Sequence, residues 1–261
     1  MSLNVPTMAE LAARGETAEV LFWVGCAGSF DERAKKVTKA VAKLLNQAGV
    51  SFAVLGAEES CTGDPARRAG NEFLFQMQAL QNIEILNVYS VHKIVAACPH
   101  CFNTLKNEYP QLGGTYEVFH HSQFIEQLLR DGRLRVEGGS FKGKRIVFHD
   151  PCYLGRANGE YEAPRTLLAQ LDAEIHEMKR SKKNGFCCGA GGAQIFKEPE
   201  AGNAEIHHVR AEEAIATGAD IIAVGCPFCK LMLTDGVTHH GKEGQVQVLD
   251  IAEAIATAND L

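Results

Sequence analysis

The chain has 261 residues, with 32 acidic residues against 26 Lys and Arg, which gives a formal net charge of −6. At roughly 100–200 residues per domain, this length allows one large or two small domains. The acidic balance, without a block of Lys or Arg, argues against a nucleic-acid binder. No apolar run approaches the roughly 18–20 residues of a membrane-spanning helix, and the N-terminus does not resemble a signal peptide. We therefore expect a cytoplasmic protein without a transmembrane segment.

The first half alternates short apolar runs, typical of buried strands, with amphipathic segments, typical of helices. A capping box beginning at Ser29 predicts the start of the first long helix, which Gly49 ends. A second long helix is predicted over residues 64–88, with residues 73–77 in the core. The predicted strands of this half are residues 19–24, 52–55, 93–97 and 117–119.

The second half follows the same order of elements. Strands that alternate with helices favour βαβ units and a mostly parallel sheet, so the sequence predicts two Rossmann-like α/β lobes. The predicted strands are residues 145–148, 174–178, 221–224 and 247–249. The predicted helices are residues 164–171 and 204–217 and a short final helix.

The nine cysteines are the unusual feature of the composition. Disulfides are rare in the cytosol, so an odd number of cysteines there indicates metal or redox chemistry. The cysteines form two series with nearly the same spacing, and KIVAACPHC in the first half returns as DIIAVGCPFC in the second. We infer an internal duplication with domains at residues 1–135 and 136–261. The pairs in register are Cys26/Cys152 and Cys61/Cys187, 126 residues apart, and Cys98/Cys226 and Cys101/Cys229, 128 residues apart.

These cysteines follow the carboxyl ends of predicted strands, which is the edge where open parallel sheets bind ligands. Thiolates are soft donors that suit zinc and iron–sulfur clusters. The four cysteines of the first half are enough for either group. The five of the second half exceed the needs of tetrahedral zinc, and the additional thiol lies in the Cys187-Cys188 box. The glycines that follow this box could bring backbone N–H groups close to a cluster.

The long-spaced pattern C…CCG…C-x-x-C, present twice, resembles the cysteine-rich CCG domain over residues 20–251. That family includes a cysteine-rich component of heterodisulfide reductase and the cluster-carrying components of lactate, glycolate and glycerol-3-phosphate oxidising complexes. Its most specific motifs in this chain are Cys187-Cys188-Gly189 with Cys226-x-x-Cys229, residues 149–155 (HDPCYLG) and residues 59–64 (ESCTGD).

In heterodisulfide reductase, such a motif holds a noncubane [4Fe–4S] cluster at which disulfide chemistry occurs. The resemblance implies the same cluster on five residues here, namely Cys152, Cys187, Cys188, Cys226 and Cys229. In the first half, Ser60-Cys61 stands where Cys-Cys would be. This leaves zinc, an ordinary cubane or a variant cluster open for Cys26, Cys61, Cys98 and Cys101.

The ferredoxin-type cysteine run that often precedes this module is absent from the sequence. The resemblance therefore implies a ferredoxin-like iron–sulfur or a flavin-containing partner subunit, through which the chain would make any peripheral contact with a membrane. The expected function is that of an electron-transfer iron–sulfur oxidoreductase subunit, acting on a disulfide or passing electrons toward quinone. The alternative is a zinc-stabilised structural or binding protein without redox activity.

Catalytic roles are assigned to Cys187, Cys188 and His149. His149 could donate a proton or a hydrogen bond near the cluster, or be a buried structural residue. Ser60 is expected to hydrogen-bond locally and His100 to point away from the metal. The pair at residues 120–121 is expected to lie in a loop.

Overall fold

A computed structural model describes residue 3, residues 5–198 and residues 201–261. The strands are β1 Val20–Trp23, β2 Phe52–Ala53, β3 Lys93–Ala96, β4 Glu117–His120, β5 Arg145–Phe148, β6 Glu174–His176, β7 Ile221–Val224 and β8 Gln247–Asp250. The helices are α1 Met8–Ala13, α2 Gly25–Phe30, α3 Glu32–Gln47, α4 Asp64–Arg68, α5 Glu72–Val88, α6 Pro99–Asn103, α7 His121–Arg130, α8 Gly155–Asn158, α9 Glu162–Leu168, α10 Ile206–Ile215, α11 Pro227–His239 and α12 Ile251–Ala258. No helix in these ranges has both the length and the apolar character needed to cross a bilayer.

The strands form two parallel four-stranded sheets with the same topology. The order is β2-β1-β3-β4 in the first sheet and β6-β5-β7-β8 in the second. Every neighbouring pair is parallel, so the carboxyl ends of all strands in a sheet lie at one edge. The predicted fold class, two similar α/β lobes with parallel sheets, is confirmed.

A layer of helices from both halves lies between the two sheets. Alternate side chains of the central strands face this layer, as Phe22 of β1 and Phe148 of β5 show. They pack there with helices α3, α7, α9 and α12 in one buried cluster. The opposite faces of the two sheets are covered separately, by α5 on the first and by α10 and α11 on the second. Because the central layer is shared, the position of one lobe fixes that of the other. The domain boundary after residue 135 stays a prediction.

The predicted helix starts need two corrections. Ser29 lies inside α2, and the N-cap of α3 is Asp31, whose carboxylate accepts the N–H groups of Arg33 and Ala34, both at 2.9 Å. The long helix predicted over residues 64–88 is two helices. The chain turns after α4 at Gly70, which has φ of +87°, and Asn71 then caps α5.

The prediction that residues 73–77 lie in the core is wrong for most of the segment. Phe75 is buried, but Phe73 is 76% exposed and Met77 is 53% exposed. The buried stripe of α5 runs instead through Phe75, Ala79, Ile83 and Leu86. The helix is apolar on more than one face, so periodicity could not select the face that packs.

The prediction of a loop at residues 120–121 is also wrong, because both histidines are buried between the lobes. His120 ends β4, and its Nε2–H donates to the carbonyl oxygen of Gly225 at 3.0 Å. His121 begins α7, and its Nε2 lies 2.9 Å from Oδ1 of Asp250. Both contacts join residues from different halves of the chain, and local sequence gives no sign of them.

The contact between His121 and Asp250 should be worth more than a helix cap. Asp250 also caps α12 by accepting the N–H of Ala252 at 2.8 Å. Asp250→Ala removes the cap and leaves His121 without its buried partner, so we expect the free energy of unfolding to fall by roughly 2–4 kcal/mol. Urea unfolding followed by circular dichroism measures this loss.

Asp31→Ala is the matched control, because Asp31 caps α3 without a side-chain hydrogen bond to the other lobe. It should cost only about 1 kcal/mol. Equal losses for the two variants would contradict a stabilising contact between the lobes.

Candidate functional site

The nine cysteines are free thiols and gather where the carboxyl edges of the two sheets approach each other. In each half the first cysteine follows the first strand, the next lies in the loop after the second, and the C-x-x-C pair opens the helix after the third. Pro99 and Pro227 occupy the first position of those helices, α6 and α11, where the missing N–H costs nothing. The first set is Cys26, Cys61, Cys98 and Cys101, and the second set is Cys152, Cys187, Cys188, Cys226 and Cys229.

The thiols of the first set are hydrogen-bonded in pairs. Cys26 donates to Cys61, and this bond, with the N–H of Gly63 at 3.4 Å, lowers the pKa of Cys61 to about 7. Cys101 donates to Cys98 at the start of α6. Cys61 thus has the thiolate character that a metal ligand needs.

The second set repeats this arrangement and adds a thiol. Hydrogen bonds from Cys152 and Cys188, with the N–H of Gly189 at 3.2 Å, lower the pKa of Cys187 to about 2. The hydrogen bond to Cys187 is also the main reason why the pKa of Cys188 rises to about 12. Cys188 in turn lies 3.3 Å from Cys229, sulfur to sulfur, and Cys226 lies beside Cys229.

The two sets meet at Cys98 and Cys226. Although burial alone would raise the pKa of Cys98, hydrogen bonds from Cys101 and from Cys226 across the lobe boundary hold it well below its ordinary value. Desolvation and the contact with Cys98 raise the pKa of Cys226. Both residues are N-caps of the helices that follow, so the contact joins equivalent points of the two lobes.

The backbone shows which residue of the first half replaces the additional cysteine. Gly63 and Gly189 have φ of +88° and +92°, and each donates its N–H to the cysteine two positions earlier. Cys61 therefore corresponds to Cys187, and Thr62 corresponds to Cys188. The side-chain contacts agree, since Thr62 Oγ1 lies 3.9 Å from the sulfur of Cys101, just as Cys188 contacts Cys229.

The prediction that placed Ser60 at this position is wrong. The hydroxyl of Ser60 donates to Oδ1 of Asn82 at 2.8 Å, so the expected local hydrogen bond is confirmed. The spacing of 126 residues between Cys61 and Cys187 carried the correct alignment, because it pairs the next residue, Thr62, with Cys188. Thr62 is 2% exposed and faces the thiols.

His149 lies beside the second set, as predicted. A ring nitrogen of His149 and the sulfurs of Cys188 and Cys229 all lie within 4.8 Å of one another. Nδ1 accepts a hydrogen bond from Nε of Arg210 at 3.0 Å, and Nε2 has no partner among the described residues. Burial, followed by the charge of Arg210, lowers the pKa of His149 to about 3, so the ring is neutral.

Arg210 was missed by the sequence analysis. It is fully buried on α10, and its Nη1 donates to the carbonyl oxygen of Arg180 at 2.9 Å and to Glu213 at 3.0 Å. An arginine on a helix of mixed polarity is normally exposed, so no pattern in the sequence marked it.

His100 lies between Cys98 and Cys101 in sequence but faces away from them, as expected. Its Nδ1 lies 2.9 Å from Oδ2 of Asp64. Its ring stacks on Tyr153 of the other lobe, with centroids 4.2 Å apart. It therefore packs the lobe boundary beside the thiols.

The donor set and its surroundings fit an iron–sulfur cluster better than zinc. The second set offers more thiols than a tetrahedral ion binds, with unpartnered N–H donors of buried rings nearby. With Zn–S bonds of about 2.3 Å, zinc would need sulfurs about 3.8 Å apart. Within the described ranges, no three thiols of the first set lie within 4.8 Å of one another.

Two apolar cavities border the first set. One, of about 350 Å³, is lined by Cys26, Phe30 and Phe228, and the other, of about 360 Å³, by Cys61 and Leu74. Phe196 lines both cavities and separates them. Each cavity thus gives a small molecule or a partner access to one thiol of a hydrogen-bonded pair.

Comparison with known proteins agrees with this geometry. The probable iron–sulfur-binding oxidoreductase FadF of Bacillus subtilis is 45% identical over 254 residues, which cover 97% of this chain and 36% of that protein. The EtfAB:quinone oxidoreductase of Syntrophomonas wolfei is 42% identical, over 92% of this chain and 34% of that protein. A component of the dihydromethanophenazine:CoB–CoM heterodisulfide reductase of Methanosarcina barkeri is 34% identical, over 93% of this chain and 59% of that protein. The chain thus spans about a third of the length of the first two relatives.

The family model of the cysteine-rich CCG domain matches twice, at residues 20–106 and 146–234. These two matches cover more than half of the chain and include both thiol sets, so the resemblance seen in the motifs is confirmed. The chain belongs to the cysteine-rich CCG domain family, with one copy of the domain in each half.

Proposed function

We propose that this chain is the electron-transfer part of an iron–sulfur oxidoreductase and carries two clusters. A noncubane [4Fe–4S] cluster is held by the five thiols of the second set, and a four-thiolate [4Fe–4S] cluster by the first set. The observation that carries the proposal is the contact between Cys98 and Cys226, which makes the two sets continuous across the lobe boundary. The names of the relatives, which include iron–sulfur-binding and quinone-reducing oxidoreductases, support it.

Such clusters, when bound, exchange single electrons. The contribution of this chain is to hold two of them at a fixed separation. Cys98 and Cys226 would each ligate one cluster, so an electron could pass between the two sites without leaving the protein. The N–H groups of Gly63 and Gly189 stabilise the thiolates of Cys61 and Cys187. Both glycines need the left-handed backbone that makes this contact.

A purely structural zinc protein, the alternative from the sequence, has less support. Five thiols in the second set exceed one tetrahedral ion, and the first set is more widely spaced than zinc requires. Zinc in the first set alone would still be compatible with a cluster in the second. Metal analysis distinguishes these arrangements.

The electron acceptor would be a disulfide or a quinone, the two classes that the names of the relatives contain. The apolar cavities beside Cys26 and Cys61 give such a molecule a route to the first set. We place Cys187, Cys188 and His149 at the second cluster as the residues closest to its redox chemistry. Because the chain spans about a third of its long relatives, we further propose that a ferredoxin-like or flavin-containing partner supplies the electrons. The chain itself would be cytoplasmic and reach a membrane only through that partner.

Anaerobically purified protein should be brown and contain about eight irons and eight acid-labile sulfides per chain, as two four-iron clusters require. Iron, sulfide and zinc analysis together with electron paramagnetic resonance (EPR) of the reduced protein tests this. Colourless protein that contains zinc and takes up no iron on anaerobic reconstitution would refute the proposal. Four irons with one zinc would restrict it to the second set.

The assignment of Thr62 to the position of Cys188 can be tested by exchanging the two side chains. Thr62→Cys should give the first set a fifth thiolate, so its EPR signal should become similar to that of the second cluster. Cys188→Thr should change the second signal toward that of the first. The measurement is EPR of each reduced variant at unchanged iron content.

Ser60→Cys is the matched control, because Ser60 is a neighbour in sequence whose side chain faces Asn82. It should leave both signals unaltered. A change of the first signal in Ser60→Cys but not in Thr62→Cys would contradict the assignment.

A further inference from the structure

Each half places one buried ring N–H at the same position relative to its thiols. Trp23 precedes Cys26 by three residues, and His149 precedes Cys152 by three residues. Trp23 ends β1 and His149 directly follows β5, and each residue is 1% exposed. Trp23 Nε1 and His149 Nε2 are both buried without a hydrogen-bond partner in the described structure. A buried donor without a partner costs roughly 1–3 kcal/mol, so its recurrence in both halves indicates a partner at the thiol sets.

In the second half, Arg210 fixes which nitrogen of His149 carries the hydrogen. Arginine can only donate, so Nδ1, which receives Nε–H of Arg210 at 3.0 Å, must be the acceptor. In the neutral ring the hydrogen is then on Nε2. Since Nδ1 is occupied, Nε2–H is the group left to meet the sulfurs beside Cys188 and Cys229.

In the first half, the indole of Trp23 borders the thiol of Cys101. A Cβ at Gly25 would lie 3.3 Å from the sulfur of Cys101 and 4.0 Å from Cδ1 of Trp23, the carbon bonded to Nε1. Gly25 has φ of +76°, so glycine both adopts this backbone and leaves the space between indole and sulfur open. The unpartnered Nε1–H is therefore at the edge of the first set.

The two donors differ in the charge behind them. The indole N–H of Trp23 is neutral. The imidazole N–H of His149 is backed by the buried guanidinium of Arg210, which shares Glu213 with Arg180, so two positive charges face one carboxylate. Asp150, the other acid nearby, is neutralised by Arg165 through bonds of 2.8 and 3.1 Å.

We propose that Trp23 Nε1–H and His149 Nε2–H donate hydrogen bonds to the sulfurs of the first and second clusters, and that Arg210 makes the second cluster the one of higher reduction potential. This inference rests on the proposed function. Reduction adds negative charge to a cluster, so an N–H donor and a buried cation favour the reduced state and raise the potential. Electrons that enter at the first set would then collect on the second.

The test is an EPR-monitored redox titration of the anaerobic holoprotein. His149→Leu should lower the potential of the second cluster by about 59 mV or more, a tenfold change in a one-electron equilibrium, and leave the first unchanged. His149→Gln, whose amide restores an N–H donor, should stay near the wild-type value. Trp23→Phe should lower only the first potential. Arg210→Met should lower only the second, since Arg210 is a positioning residue that acts through His149.

The outcomes separate this inference from the proposed function. Wild-type protein without iron would refute the proposed function itself. Full iron content with both potentials unaltered in His149→Leu and Trp23→Phe would overturn only the hydrogen bonds, and a first cluster of higher potential would overturn the assigned order. If His149→Leu loses iron, the wild-type protein labelled with ¹⁵N-histidine decides the matter. A weak nitrogen hyperfine coupling in the reduced second cluster is expected, and its absence would overturn the hydrogen bond.

Discussion

The helix layer shared by the two sheets determines where the nine thiols lie. Because α3, α7, α9 and α12 pack in one core, the lobes are fixed relative to each other, and the carboxyl edges of both sheets approach at Cys98 and Cys226. Separate lobes on a flexible linker would leave two independent metal sites. One core instead makes the sites neighbours, and an electron-transfer function depends on that proximity.

Charge is the second constraint on this arrangement. Thiolates buried without compensation would be costly, and five lie together in the second half. The fold surrounds them with donors, namely glycine N–H groups, ring N–H groups and a buried arginine. The two halves share the first two kinds of donor and differ in the third. They also differ at Thr62 and Cys188, so a duplicated scaffold has two sites of different character.

Much of this could be predicted from the sequence, for identifiable reasons. Short apolar strands and the repeated cysteine spacing indicated the sheets, the duplication and the thiol sets, because these signals are local or periodic. The neighbours of the thiols could not be predicted, because they come from distant segments. Arg210 lies on α10 and meets His149 across 61 residues, and His121 meets Asp250 across 129. The role of Thr62 was available from the spacing but was obscured by Ser60, which is closer to cysteine in size and shape.

The most direct measurement is the anomalous diffraction of crystals grown anaerobically, recorded at the iron and zinc absorption edges. The account predicts two four-iron sites on opposite sides of the contact between Cys98 and Cys226. The second would be bound by five cysteines including Cys188, and the first by four cysteines with Thr62 beside it. A single iron site, or zinc at both sets, would contradict the account.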